Sequence, residues 1–134
     1  MSMTVKIEGL DRLVKQLSSP IVRRHMREAM SKAVTVMQHE AGLYPPPVPT
    51  YSRTLLLGRS WTTKVQASSD NVIGEVFNNV EYAPFVQGQQ QTWFHADHGW
   101  QTLPQAYEKQ SGEIKRLFQK GLQEAADEIA SGGE

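Results

Sequence analysis

Apolar residues recur every three to four positions in two long stretches of the chain, and at every second position between them. In the first stretch Val22, Met26, Ala29, Met30, Ala33, Val36, Met37 and Ala41 form one stripe. Arg23, Arg24, Arg27, Lys32 and Gln38 fall on the other side, which is the pattern of an amphipathic helix. Ser19 suits its N-cap, and Pro20 suits the first helical position, where a missing N–H costs nothing. Gly42-Leu43 and the run Pro45-Pro46-Pro47-Val48-Pro49 forbid continuation and predict a stiff, extended spacer. A shorter helical pattern (Leu10, Leu13, Val14, Leu17) precedes this helix and closes at Ser18-Ser19-Pro20. The second long stretch starts at Leu103 and repeats through Ala106, Tyr107, Ile114, Leu117, Phe118, Leu122, Ala125 and Ile129. Pro104 fits its first turn. Gly112 and Gly121 each weaken this helix by about 1 kcal/mol relative to alanine.

Between the helices, Trp61, Thr63, Val65 and Ala67 alternate with Thr62, Lys64 and Gln66, which is the period of a half-buried strand. Ser68-Ser69-Asp70-Asn71 is a turn composition, and Val72 to Phe77 reads as the returning strand of an antiparallel hairpin. Gly58 and Gly74 stand alone and read as a turn and a strand irregularity. The stretch from Tyr51 to Arg59 predicts a loop with one helical turn. A lone hairpin is marginal, so a further element must cover or extend it. The alternating Thr4-Val5-Lys6-Ile7-Glu8 can supply a third strand. With no internal repeat or domain-scale linker, residues 1–134 read as one α+β domain: two long amphipathic helices packed on a small antiparallel sheet.

Residues 81–102 fit neither period. They predict a long irregular loop rich in aromatics and glutamine, with one helical turn near Glu81 to Val86. Large rings on an irregular segment must fold back onto the core or meet another subunit. Tyr82, Phe85, Gln87, Trp93, Phe94, His95 and Trp100 are therefore the candidate contact residues, and Arg53 and Arg59 join them on charge grounds. For Tyr82 and Phe85, core and interface are equally good expectations; for Trp93 and Phe94, interface is the expectation.

Composition changes this picture in one respect. Formal net charge is zero, so the chain as a whole offers nucleic acid no bulk attraction. The charges are unevenly placed: residues 1–69 hold ten Lys and Arg against four acids, and residues 70–134 the reverse, a surplus of six in each direction. Two oppositely charged helices facing each other would account for this, as would a polar subunit whose basic side meets the acidic side of a neighbour. Cysteine is absent, which removes disulfides, thiolate metal sites and a cysteine nucleophile. The N-terminus lacks an apolar signal core, and no run approaches a membrane span, so a soluble protein is expected.

Candidate chemistry is sparse. His95-Ala96-Asp97-His98 is the one metal-like cluster, and its spacing fits no standard zinc motif; loop hydrogen bonding is the expectation there. No Ser sits in a Gly-x-Ser-x-Gly elbow, and no phosphate-cradling glycine motif occurs. No catalytic residue, cofactor or metal is assigned. Arg53, Arg59 and Lys64 lie near Tyr51 and Trp61, and basic residues interleaved with aromatics can bind single strands. A small nucleic-acid-binding module using this basic hairpin region is the alternative to an assembly role.

The local patterns together resemble one family, the tail-component or tail-completion proteins of long-tailed bacteriophages and prophages, similar to the minor tail protein Z of lambdoid phages. The resemblance rests on Val5-Lys6-Ile7-Glu8-Gly9-Leu10-Asp11, the Arg- and Ala-bearing helix ending at a proline break, and Arg53-Thr54-Leu55-Leu56-Leu57-Gly58-Arg59-Ser60-Trp61. It continues through Asn78-Asn79-Val80-Glu81-Tyr82-Ala83-Pro84-Phe85-Val86-Gln87-Gly88 and His95 to Gly99-Trp100. The family's usual Arg-Thr-Gly is departed from here, since Thr54 is followed by Leu55-Leu56-Leu57 before Gly58. The resemblance implies a structural, non-enzymatic virion protein of the neck, present in the host cytoplasm during assembly. Its copies would form a six-fold ring around the DNA path, reading no DNA sequence and touching no membrane. Head-closure or connector proteins and tail terminator or tube proteins would lie on either side.

Overall fold

A computed structural model describes residues 2–6, 20–43, 45, 56–67 and 72–132. The elements run β1 (Ser2–Lys6), α1 (Pro20–Ala41), α2 (Leu56–Arg59), β2 (Trp61–Ala67), β3 (Val72–Asn78), α3 (Ala83–Gln87), α4 (Trp93–Asp97) and α5 (Leu103–Ala130). The architecture is α+β, a long helix pair on a small antiparallel sheet, as the two periodicities predict. The short helical pattern at Leu10–Leu17, the Ser19 cap, Pro46 to Pro49, Tyr51 and Arg53 lie outside the described residues.

The sheet has the order β1-β3-β2, with both pairings antiparallel. The N-terminal strand thus adds to the hairpin, covering Ser2–Lys6 where the alternation suggested 4–8. Val72, Gly74, Val76 and Asn78 of β3 are buried; Ile73, Glu75 and Phe77 alternate with them and are half-buried. On β2, Trp61 is buried and Thr63 and Val65 half-buried, whereas Ala67, expected on the same face, is exposed at the strand's end.

Helix α1 packs on β2 and β3 with one side and on α5 with another. Having two neighbours, it buries more than one stripe. Val34 is buried, which the stripe did not include, while Val36 is only half-buried. Met26, Met30 and Met37 are fully buried, each worth about 1.5–3 kcal/mol of hydrophobic transfer. Gly74 is no irregularity: pairing through it is unbroken, opposite both Val5 and Val65. A Cβ there would lie 2.5 Å from Met30 Sδ and 2.6 Å from Val34 Cγ1, so glycine is what lets α1 settle on the sheet.

Helices α1 and α5 run antiparallel. Arg24 donates to both carboxylate oxygens of Glu128 at one end, and Lys109 Nζ lies 3.7 Å from the Glu40 carboxylate at the other. The Arg24–Glu128 pair joins the basic half of the chain to the acidic half inside one protomer, whereas Glu40–Lys109 pairs them in the reverse sense. On α5, Leu103, Ala106, Ile114, Phe118 and Ala125 are buried and Leu117, Leu122 and Ile129 pack beside them; Tyr107, expected on this stripe, is mostly outside it. Gly121 sits where α1 approaches, a Cβ there being 3.0 Å from Met26 Cε and 3.2 Å from Ala29 Cβ. Thr102 caps α5 in a reciprocal box: its Oγ1 accepts from Gln105 N, and its own N–H donates to Gln105 Oε1 at 2.8 Å. Among the described residues no helix is long and apolar enough to cross a membrane.

Candidate functional site

The segment expected to be irregular apart from one helical turn near Glu81 to Val86 carries that turn as α3 and a second, unexpected short helix, α4, around a small apolar cluster of its own. Leu57, Ala83, Val86 and Trp100 are buried together, with Val80 packed against them. This cluster is separate from the α1–α5–sheet core. Pro84 occupies the first turn of α3, where its missing N–H costs nothing. Thr92 caps α4: its Oγ1 accepts from His95 N and lies 2.7 Å from His95 Nδ1. The Thr92 N–H donates to Phe85 O at 2.9 Å, which brings the start of α4 against α3.

Helix α4 ends in a Schellman motif. Trp100 N–H donates to His95 O and Gly99 N–H to Ala96 O. Gly99 supplies the required left-handed turn at φ +86°. That turn delivers Trp100 into the small cluster, 7% exposed. The His95…Gly99-Trp100 pattern thus has a local physical cause.

Side-chain amides hold the segment to the main core. Gln87 is 1% exposed, and its Nε2 donates to Ala41 O at 2.9 Å. Gln101 Nε2 donates to Glu40 O at 3.0 Å. Both acceptors are C-terminal carbonyls of α1, which have no partner within a helix. Gln91 Nε2 bridges Val86 O and Trp100 O at 2.7 and 2.8 Å. Asn78 Nδ2 donates to Leu57 O at 2.8 Å, and its Oδ1 accepts from Val80 N at 2.9 Å.

The candidate contact residues therefore divide. Trp93 is 78% exposed, Phe85 46% and Tyr82 40%. Phe94 is half-buried, its ring 4.0 Å from that of His98 and edge-on to Trp93 and His95. His95 is half-buried between Thr92 and Trp100. Trp100 and Gln87, expected to be contact residues, are buried in their own protomer and serve as its core and its clamp. Arg59 is exposed at the end of α2. Of the glutamines, Gln87 and Gln91 turn inward, while Gln89 and Gln90 are exposed.

Burial, then repulsion from His98, holds the His95 imidazole below the ordinary histidine range, opposed by the Phe85 backbone. His98 Nδ1 lies 2.6 Å from Phe94 O. Among the described residues no three His, Asp or Glu side chains gather as metal ligands would. Trp61, one of the two aromatics of the basic hairpin region, is 5% exposed and has no face to offer a base. Lys64 sits opposite Glu75 in the sheet.

The clamps at Asn78, Gln91 and Gln101 escape periodicity, which sees apolar residues only. The Thr102–Gln105 box did carry a signal in the sequence, the Thr-x-x-Gln spacing before an apolar run. Comparison of the chain with family models, with curated proteins and with solved structures finds no match.

Proposed function

We propose that this chain is a structural protein of the phage neck and tail, forming a ring around the DNA path that joins the head connector to the tail tube. Its first partner is a second copy of itself. The observation that carries the reading is Trp93, an indole left 78% in water on a segment whose backbone is pinned by caps and amide clamps. Exposed tryptophan costs solvation and serves as an interface anchor far more often than other residues do. Phe85 on α3 and Tyr82 at its N-cap are further exposed rings on the same segment. The resemblance of Tyr82-Ala83-Pro84-Phe85-Val86-Gln87-Gly88 and its neighbours to the tail-completion family supplies the setting, a virion neck. The proposal needs no catalytic residue or cofactor.

Its test is the structure of the assembled particle. The reading expects Trp93 to be buried against an adjoining subunit, with Phe85 beside it. A mature particle in which Trp93 still faces solvent contradicts it.

A further inference from the structure

The sheet ends in two different strands. Among the described residues, β1 forms one edge of the order β1-β3-β2 and β2 the other, with no further strand beyond either. An edge strand presents a row of N–H and C=O groups that can pair with another chain, and proteins blunt such edges with proline, bulges or charge. Neither strand holds a proline, and neither register is broken by a bulge, over five residues of β1 and seven of β2. The Trp61 carbonyl is taken by Gln38 Nε2 at 2.8 Å, so the edge of β2 is open from Thr62 onward.

Lys64, at the centre of β2, decides the partner. Full-length pairing of β2 with β2 of a second copy, about a two-fold axis, sets Lys64 directly opposite its own equivalent. Like charges so placed destabilise a sheet. The β1 edge fits better. Both β1 and β2 are antiparallel to β3, so they run parallel to each other. Thr4 and Lys64 flank Glu75 in one row, and Met3 and Thr63 flank the buried Val76 in the next. A second copy set beside the first, with its α1 on the same side of the sheet, lays its β1 along β2 in parallel. Each row then continues into the next copy, and Lys64 meets Thr4 rather than another lysine.

We propose that β2 of each copy pairs in parallel with β1 of the next, so that one continuous sheet runs from subunit to subunit. This rests on the assembly reading above and adds to it a backbone interface distinct from the Trp93 anchor. A head-to-tail repeat needs two unlike surfaces on each copy, and the two edges of this sheet supply them. Strand addition of this kind draws its affinity from main-chain hydrogen bonds.

Disulfide trapping tests the pairing, and the absence of native cysteine makes it clean. The double variant Thr4→Cys with Lys64→Cys cannot close on itself. Within one copy the two positions are two strand spacings apart, about 9–10 Å, beyond the reach of a disulfide, about 4.4–6.8 Å between Cα atoms. Between copies they are one spacing apart. Under mild oxidation, where the wild type assembles, the double variant should give a ladder of covalent multimers on a non-reducing denaturing gel. Each single variant should stay monomeric on that gel. Thr62→Cys and Gln66→Cys, each combined with Thr4→Cys, read a register shifted by two residues. A covalent dimer from Lys64→Cys alone, or from Thr4→Cys alone, shows like edges paired two-fold and overturns the proposal. So does an assembled protein in which none of the three double variants links. Hydrogen exchange of the wild type needs no substitution: alternate amides between Thr62 and Ala67 should slow on assembly, and unchanged exchange there also overturns the proposal. A wild type that stays monomeric, alone and with tail-tube protein, overturns the assembly reading itself, and the edge pairing with it.

Discussion

The Gln87 side chain reaches across 46 residues of sequence to hydrogen-bond the Ala41 carbonyl, 2.9 Å from its Nε2. That bond ties the last turn of α1 to the end of α3, and so ties the helix core to the segment that presents Trp93. Helix α1 ends on carbonyls that have no partner within the helix, and Gln87 supplies a donor to one of them. Gln87→Ala removes the donor from a buried carbonyl and should cost about 1–3 kcal/mol. Urea denaturation checks it, and a variant as stable as the wild type would show the clamp to be incidental.

Two glycines should respond in opposite directions. Gly112 is exposed on α5 with nothing near an added Cβ, so Gly112→Ala should stabilise by about 0.5–1 kcal/mol through helix propensity. Gly74→Ala would push into Met30 and Val34 of α1 and should destabilise by about 1–3 kcal/mol. Thermal unfolding of the pair reads both signs in one experiment.

Gly99→Ala should cost about 1–2 kcal/mol, because alanine is strained at a left-handed φ. The added Cβ would also approach Pro45 to 3.3 Å. Since Gly99 aims Trp100 inward, the loss should appear in near-ultraviolet circular dichroism and as a red shift of tryptophan fluorescence.

His95 sets a pH dependence of known sign. Its folded pKa lies below the unfolded value near 6.5, so the folded state binds the proton less readily than the unfolded state. The stability this contributes is fully present above about pH 6.5 and is lost as pH falls through the folded pKa. His95→Gln should therefore lose less stability than the wild type between neutral and mildly acidic pH. Parallel slopes for the two proteins would show that His95 does not carry the effect.

The long elements were legible because each has a period and a stop. Met26 to Ala41 and Leu103 to Ile129 repeat at helical spacing, and Val72 to Phe77 alternates. Val34 was not legible, since periodicity describes one buried face and α1 has two neighbours. Gly74 looked like a defect because an absent side chain gives no hint of what fills its place; Met30 and Val34 do. Within 81–102, Trp93 and Trp100 are the same residue type on one short stretch, yet one is exposed and the other buried. Their fates are set by the Thr92 cap and the φ of Gly99, backbone details that hydrophobicity does not encode. The inward glutamines are invisible for a related reason. A buried amide is distinguished from a solvated one only by whether an orphan carbonyl lies within its reach.

The account turns on Trp93 being the anchor by which copies hold one another. Its most direct test is the mass of the purified protein in solution across a wide concentration range, alone and with tail-tube protein, beside that of Trp93→Ala. The expected result is a defined oligomer for the wild type and a folded monomer for the variant, with unchanged melting temperature. A variant that assembles like the wild type, or one that unfolds because the indole was holding its own protomer together, would contradict it.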